Sequence, residues 1–338
     1  MNELPAYPAG HAARNRFVLE RRPPRPLHDP WRHQGVMVED ERAADGTIVR
    51  VATVFLTGRE CPWRCVMCDL WQHTIAGDTP PGALAGQLDS ALAALDAEGP
   101  RPAHAKLYNA ANFFDPRAVP ECDYAAIAGR LRGFRRIIVE SHPATVGDRV
   151  ARFTSALARA ARRTDAPAVE VAMGLETAHE EALNRLNKGF TLRQFEQAAD
   201  RLRRLGAGLR AFVLVGVPFI PRDQQQDWVV RSVAFAFECG ASVVSLIPTR
   251  SGNGALEALG AAGVFTGPAL SDVEAALAAA LSDAAGRVFA DLWDLRRFAD
   301  CSQCFDARRE RLRLMNLEQR MRPPVSCDRC HGTPDGAG

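Results

Sequence analysis

The chain has 338 residues, 47% of them hydrophobic, and a formal net charge of +2. That length and apolar content are enough for a large buried core and exclude intrinsic disorder, while so small a net charge excludes a global field that gathers nucleic acid. The longest near-apolar run, AFVLVGVPFI (211–220), falls short of the roughly 18 residues a membrane helix needs, and the N-terminus has no apolar stretch to act as a signal. The expectation is a cytoplasmic protein with no membrane partner.

Residues 1–45 are rich in Pro and Arg (RRPPRPLHDPWRHQG, 21–35), lack sustained periodicity and read as an N-terminal arm. From residue 46 onward, short β-branched or apolar runs alternate with longer helical patterns, the signature of a parallel sheet covered by helices. The runs are Val49–Leu56, Ala105–Tyr108, Arg136–Val139, Val169–Gly174, Leu209–Val215 and Ser242–Ile247. Between them lie LAGQLDSALAALDAEG, DRVARFTSALARAARRT, TLRQFEQAADRLRRLG and WVVRSVAFAFECG, each ending in or near a glycine or polar turn. Six strand–helix units predict an α/β fold, a partial (β/α)6 TIM-like barrel over residues 46–265, with chemistry at the C-terminal ends of its strands. Residues 266–300 predict one connecting helix, opened by a capping box of Ser271 with Glu274. Residues 301–338 form a small C-terminal module.

Of nine cysteines, seven sit in tight groups, which in a reducing compartment points to metal ligation rather than disulfides. Cys122 and Cys239 stand alone and are assigned no role. Cys61, Cys65 and Cys68 directly follow the first barrel strand with CxxxCxxC spacing. Three thiolates suit a [4Fe–4S] cluster with one open iron, and a zinc knuckle completed by His73 is the alternative. In the C-terminal module, Cys301/Cys304 and Cys327/Cys330 are two CxxC knuckles that together offer four thiolates to structural Zn2+ or to a second iron–sulfur cluster, with His331 as a substitute ligand. Between the knuckles, Arg308, Arg309, Arg311, Arg313, Arg320 and Arg322 on one helical stretch read as a solvated face or as a surface for RNA phosphates.

The stretch FLTGRECPWRCVMCDLW (55–71), with VAMGLETAHEEALNRLNKGFTL (171–192), resembles the radical SAM superfamily, and within it the Elongator-like and methylthiotransferase-like branch. The likeness covers about residues 46–265. It implies that Cys61, Cys65 and Cys68 hold a [4Fe–4S] cluster whose open iron chelates S-adenosylmethionine, and that reductive cleavage yields a 5′-deoxyadenosyl radical that takes hydrogen from substrate. The family's usually aromatic position before the third cysteine is Met67 here, a departure in which a thioether would lie against the adenine. The resemblance places Glu176 at the ribose of S-adenosylmethionine and Lys188 at its carboxylate. Where the family has a Gly-Gly-Glu-like turn for the methionine amino group, this chain has LYNAANFFD, with Asn109 or Asn112 nearby. Glu140, Ser141 and His142 follow the third strand as cofactor or substrate contacts, Gly216 permits close backbone approach after the fifth, and Arg250 after the sixth would meet a substrate anion. An external electron donor such as flavodoxin or ferredoxin is also implied.

Four stretches, FLTGRECPWRCVMCDLW, KLYNAANFFDPRAVP, LETAHEEALNRLNKGFT and LIPTRSGNGALEAL, are most similar to the archaeosine-forming radical SAM lyase subgroup, which acts on a modified base in transfer RNA. The resulting expectation is RNA-base modification with a tRNA substrate. The alternatives are a radical SAM enzyme of small-molecule biosynthesis and a non-catalytic iron–sulfur or zinc carrier or RNA-binding protein. The chain has no GxSxG elbow and no P-loop, and HEEAL lacks the second His of a zinc protease.

Overall fold

A computed structural model describes residues 7–109, 112–161 and 165–331. Eight strands form one curled sheet in chain order: β1 (Gly35–Arg42), β2 (Ile48–Leu56), β3 (His104–Asn109), β4 (Arg136–Ser141), β5 (Ala168–Glu176), β6 (Gly208–Val215), β7 (Val243–Pro248) and β8 (Arg287–Ala290). Strands β2 to β8 are parallel, and β1 runs antiparallel to β2. The expected partial barrel is present, with its six strands at the predicted places and one more at each edge.

The period-2 alternation of each strand divides its side chains between two environments. Ala52, Val54 and Leu56 on β2, Ala105 and Leu107 on β3, Ile137 and Val139 on β4, and Leu209, Ala211 and Val213 on β6 face the helices and form the main core. The alternate residues Thr53, Phe55, Lys106, Tyr108, Glu140, Arg210 and Phe212 face the barrel interior. Covering helices α2 (Ala83–Glu98), α3 (Tyr124–Leu131), α4 (Asp148–Ala160), α6 (Leu192–Arg204) and α7 (Gln225–Glu238) each bury one apolar stripe, as with Phe195, Ala198, Ala199 and Leu202 of α6 behind its Thr191/Gln194 capping box. A short helix α5 (Glu180–Arg185) separates β5 from α6.

Three expectations are corrected. The arm is not irregular throughout: among its described residues, His11–Arg21 form helix α1 and Gly35–Arg42 form β1, joined to β2 by a turn in which the Asp45 carboxylate accepts from the Thr47 N–H and Gly46 takes φ 85°. The single helix over 266–300 is instead α9 (Leu270–Ser282), then β8, then a 3-10 turn at Leu295–Phe298. It follows the short α8 (Ala255–Ala261). The cap of α9 is made by Asp272, which accepts from Ala269 N at 2.8 Å, while Glu274 pairs with Arg308 and Arg311.

Helix α10 (Phe305–Glu318) closes the gap between the two edge strands. Its Asn316 amide exchanges two hydrogen bonds with the backbone of Ala290, and Gln319 just beyond its end does the same with Val288, all at 2.8 Å. Two side-chain amides thus satisfy an edge strand in place of a ninth strand. Arg42 of β1 donates to Leu317 O at 3.1 Å and Arg287 of β8 to Arg42 O at 3.0 Å, completing the seam. No helix among the described residues is long and apolar enough to cross a membrane.

Candidate functional site

The barrel encloses a cavity of about 960 Å³. Cys61, Cys65, Met67 and Cys68 line one part of it, on the loop after β2. That loop is held from four sides. Asn187, in the left-handed region at φ 61°, donates to Arg64 O at 2.8 Å; buried Asn253 donates to Val66 O at 2.5 Å; Val66 N donates to Leu186 O at 3.0 Å. From the arm, Arg22 and Arg25 both pair with Glu60. Sequence reasoning missed Glu60, Asn187 and Asn253, because each works through a partner distant in the chain.

Burial is the main cause that raises the thiols. Cys65 is pushed far above its ordinary range and Cys68 up to about 12, with Asp69 and Cys61 adding to the latter; Cys61 is raised less, because the Trp63 N–H, Lys188 and the Asn112 amide oppose burial.

Across from the thiols, Glu176 ends β5 at a register shift and takes φ 68°, strained for a residue with a Cβ. The strain turns its carboxylate onto Lys188 Nζ, and the two form a largely buried ion pair. Gly174 leaves the space this pair occupies, since a Cβ there overlaps both charged groups. Burial alone would lower the Lys188 ammonium; Glu176 and the neighbouring thiols hold it above its usual value.

Glu140 also lines the cavity, and burial, with Glu176 adding to it against Lys188, raises its carboxyl to about 8. Ser141 bonds Thr145 Oγ1 at 2.7 Å. His142 is committed to structure: the Ala144 N–H donates to its Nδ1 at 3.1 Å, so Nε2 carries the proton and donates to Lys188 O at 2.9 Å. Burial lowers this imidazole to about 3, and Trp63 stacks on it with centroids 3.5 Å apart. Asn112 donates to Cys61 Sγ at 3.4 Å. Asn109 is buried, with no partner for its amide among the described residues, and is not in the cavity lining. Gly216, the remaining expected contact, lies in a separate small pocket against Pro268, where the close approach it permits is that of the proline ring.

Elsewhere the cavity wall carries five aromatic side chains, Phe55, Tyr108, Phe212, Phe289 and Trp293, among charged groups that include Glu39, Lys106, Arg210 and Arg309, and Phe55 stacks on Trp293 at 5.0 Å. Beneath them lies a buried charge network that the sequence did not announce. Lys106 pairs with Glu39 and Glu41, and Arg210 bonds Glu41 at 2.9 Å and Glu170 at 2.7 Å. Burial would raise the Glu41 carboxyl, but Arg210 and Lys106 hold it well below its usual range. Arg250 is turned onto Asp291 at 2.5 Å and Trp293 O at 3.0 Å, so its charge is already met.

The second cysteine group lies at the start of α10. The ligand atoms of Cys301, Cys304, Cys327 and Cys330 all lie within 4.8 Å of one another, with Cys301–Cys327 at 4.0 Å and Cys304–Cys330 at 3.6 Å. None of the four is among the residues lining the cavity; the His331 side chain is outside the described residues. Most of the arginines between the knuckles are engaged by carboxylates, and Arg309 and Arg320 are exposed. Arg308 and Arg311 pair with Glu274, Arg308 also with Asp300, Arg313 with Glu310, and Arg320 and Arg322 with Glu318, while Arg309 and Arg313 line the cavity.

No family model matches the sequence, and no curated protein matches it. Among solved structures, the archaeal Methanocaldococcus infernus Elp3 is similar at a TM-score of 0.51 and 12% identity, over 72% of this chain and 60% of that one. A radical S-adenosylmethionine methyltransferase, TsrM, from Kitasatospora setae follows at 0.44 and 18%, over 65% of this chain and 40% of that one. A radical SAM methyltransferase from Sphaerobacter thermophilus gives 0.48 and 15%, over 75% and 73%. The chain thus spans less than two thirds of the length of the first two. The latter two are named as radical SAM enzymes, and an HMG-CoA lyase from Brucella melitensis is similar as well; what this chain shares with Elp3 is the fold.

Proposed function

We propose that the chain is a radical SAM enzyme. The carrying observation is the convergence, in one cavity, of three thiols from a braced loop with an ion pair held by a strained Glu176 and a lysine. The donor set fits the group: thiols this costly to ionise become ligands when a cationic cluster supplies the missing charge. Cys61, Cys65 and Cys68 would hold a [4Fe–4S] cluster, which with S-adenosylmethionine supplies a 5′-deoxyadenosyl radical for hydrogen abstraction. Lys188 would orient the carboxylate of S-adenosylmethionine, and Glu176, freed from Lys188, would accept from a ribose hydroxyl. Met67 would pack on the adenine. Glu140 holds its proton at neutral pH and can donate a hydrogen bond to a bound oxygen. An electron donor such as flavodoxin or ferredoxin would reduce the cluster.

The cavity's aromatic side chains suit a planar substrate group. Arg308 and Arg311 of the helix that favoured RNA are spent on Glu274, so a small-molecule substrate takes first place. An RNA base is the second reading, carried by Trp293, 44% exposed and lining the cavity, on which an unstacked base would lie.

At the C-terminal cysteines we propose one tetrahedral ion, zinc. Four sulfurs about 2.3 Å from an ion are about 3.8 Å apart, close to the spacing here.

The reading is tested by anaerobic titration of S-adenosylmethionine into reconstituted protein, with wild type and Lys188→Ala compared. Binding that perturbs the electron paramagnetic resonance of the reduced cluster, and that weakens in the variant with cluster content unchanged, is expected. A loaded cluster indifferent to S-adenosylmethionine contradicts it.

A further inference from the structure

Asn112 has an arrangement that cofactor binding does not call for. Its side chain is buried, 4% exposed, at the end of the segment after β3. The carboxamide could be placed two ways round, and the structure leaves one. The His142 backbone N–H can only donate, and it donates to Asn112 Oδ1 at 2.5 Å. The amide nitrogen therefore faces Cys61 Sγ, 3.4 Å away, and donates to it. Everything that sets this orientation is itself fixed. Phe113 N bonds Glu140 O at 2.9 Å, locking the Asn112 segment onto β4. The His142 ring is held through both nitrogens and lies flat against Trp63, two residues from Cys61 in the same loop.

We infer that Asn112 is a positioning residue whose N–H···S hydrogen bond to Cys61 raises the reduction potential of the cluster. The inference rests on the radical SAM reading above. A one-electron reduction adds negative charge that spreads over the cysteine sulfurs, so a fixed donor dipole at Sγ stabilises the reduced form more than the oxidised one. The bond joins a buried carboxamide to a partly buried sulfur at the cavity wall, where a dipole is screened less than in bulk water. This differs from the amino-group role that the sequence likeness assigns to the same segment: the donor is directed at a ligand sulfur, before any S-adenosylmethionine binds.

The test is redox titration of reconstituted protein, followed by electron paramagnetic resonance. Asn112→Ala removes the donor. Asn112→Asp keeps the shape and the acceptor for His142 but puts a carboxylate beside the sulfur. With four irons per three-cysteine site retained, the ratio of reduced to oxidised cluster at a fixed potential should fall about tenfold in Asn112→Ala, equivalent to about 59 mV for a one-electron couple, and further in Asn112→Asp. A potential unchanged in both loaded variants overturns the inference. Should neither variant load, wild type carrying 15N-asparagine decides: a nitrogen hyperfine coupling to the reduced cluster is expected, and its absence overturns the inference. Wild type that assembles no cluster contradicts the radical SAM reading itself, a separate outcome.

Discussion

Cys65 and Cys301 are both buried thiols, yet the first is pushed far up by burial, whereas Cys301 is drawn down, chiefly by the Cys304 backbone N–H and then by the Cys330 thiol, while Cys304 and Cys330 of its group are raised. The three-cysteine loop shares its cavity with Glu176, Lys188 and five aromatic side chains, so its ligands face space for other molecules. The four-cysteine group closes on itself, at the N-terminus of the helix that seals the barrel, where a helix dipole favours thiolates. On the proposed reading the same residue type would build a reactive centre in one place and a staple in the other, and the difference lies in what surrounds the sulfurs.

Stability should separate the two centres most strongly. Cys304→Ser, or chelation of the C-terminal ion, should cost several kcal/mol, since structural zinc contributes about 10–16 kcal/mol in isolated fingers. Cys65→Ala in protein that lacks the cluster but keeps the C-terminal ion should cost only about 1 kcal/mol. Calorimetry of both variants checks the contrast, and equal losses would break it. Ligand binding should follow next. Lys188→Ala leaves Glu176 buried and unpaired, and S-adenosylmethionine affinity should fall about 100-fold, from a cost of roughly 2–5 kcal/mol. Gly174→Ala forces a methyl into the space of the Glu176–Lys188 pair and should cost about 1–3 kcal/mol, read as about tenfold weaker binding by titration calorimetry. Asn316→Ala, which strips two hydrogen bonds from Ala290, should lower stability by about 1–3 kcal/mol in denaturant unfolding.

A further effect is one of pH. Glu140 keeps its proton in the folded chain up to about 8, whereas the unfolded chain releases it near 4.5. Between these values the folded state binds more protons, so this group's contribution to stability falls as pH rises and levels off above about 8. Glu140→Gln removes that slope. The stability difference between variant and wild type should grow from pH 5 to 8 and then stay constant; a flat difference contradicts the assignment.

The six central strands and the thiol spacings were legible because each is a local pattern. Strand β1 carried a signal that was not used, the Asp45-Gly46 pair between alternating residues. Strand β8 is only four residues long, inside an alanine-rich stretch that reads as helix. The barrel floor was illegible for a different reason. Lys106 meets Glu41 and Arg210 meets Glu41 across 65 and 169 residues of chain, so no window of sequence contains either pair. The pairing within the arginine-rich helix was illegible because composition counts charge without partners, and Glu274, which neutralises Arg308 and Arg311, lies more than 30 residues upstream.

The central claim is that the three-cysteine loop starts radical chemistry. The most direct measurement is 5′-deoxyadenosine formed anaerobically from S-adenosylmethionine and a strong reductant, by wild type and by Cys65→Ala, each with its C-terminal metal intact. The account predicts product from wild type alone. A wild-type protein that carries its cluster, binds S-adenosylmethionine and still forms no 5′-deoxyadenosine, with RNA and small-molecule extracts both supplied, would contradict it.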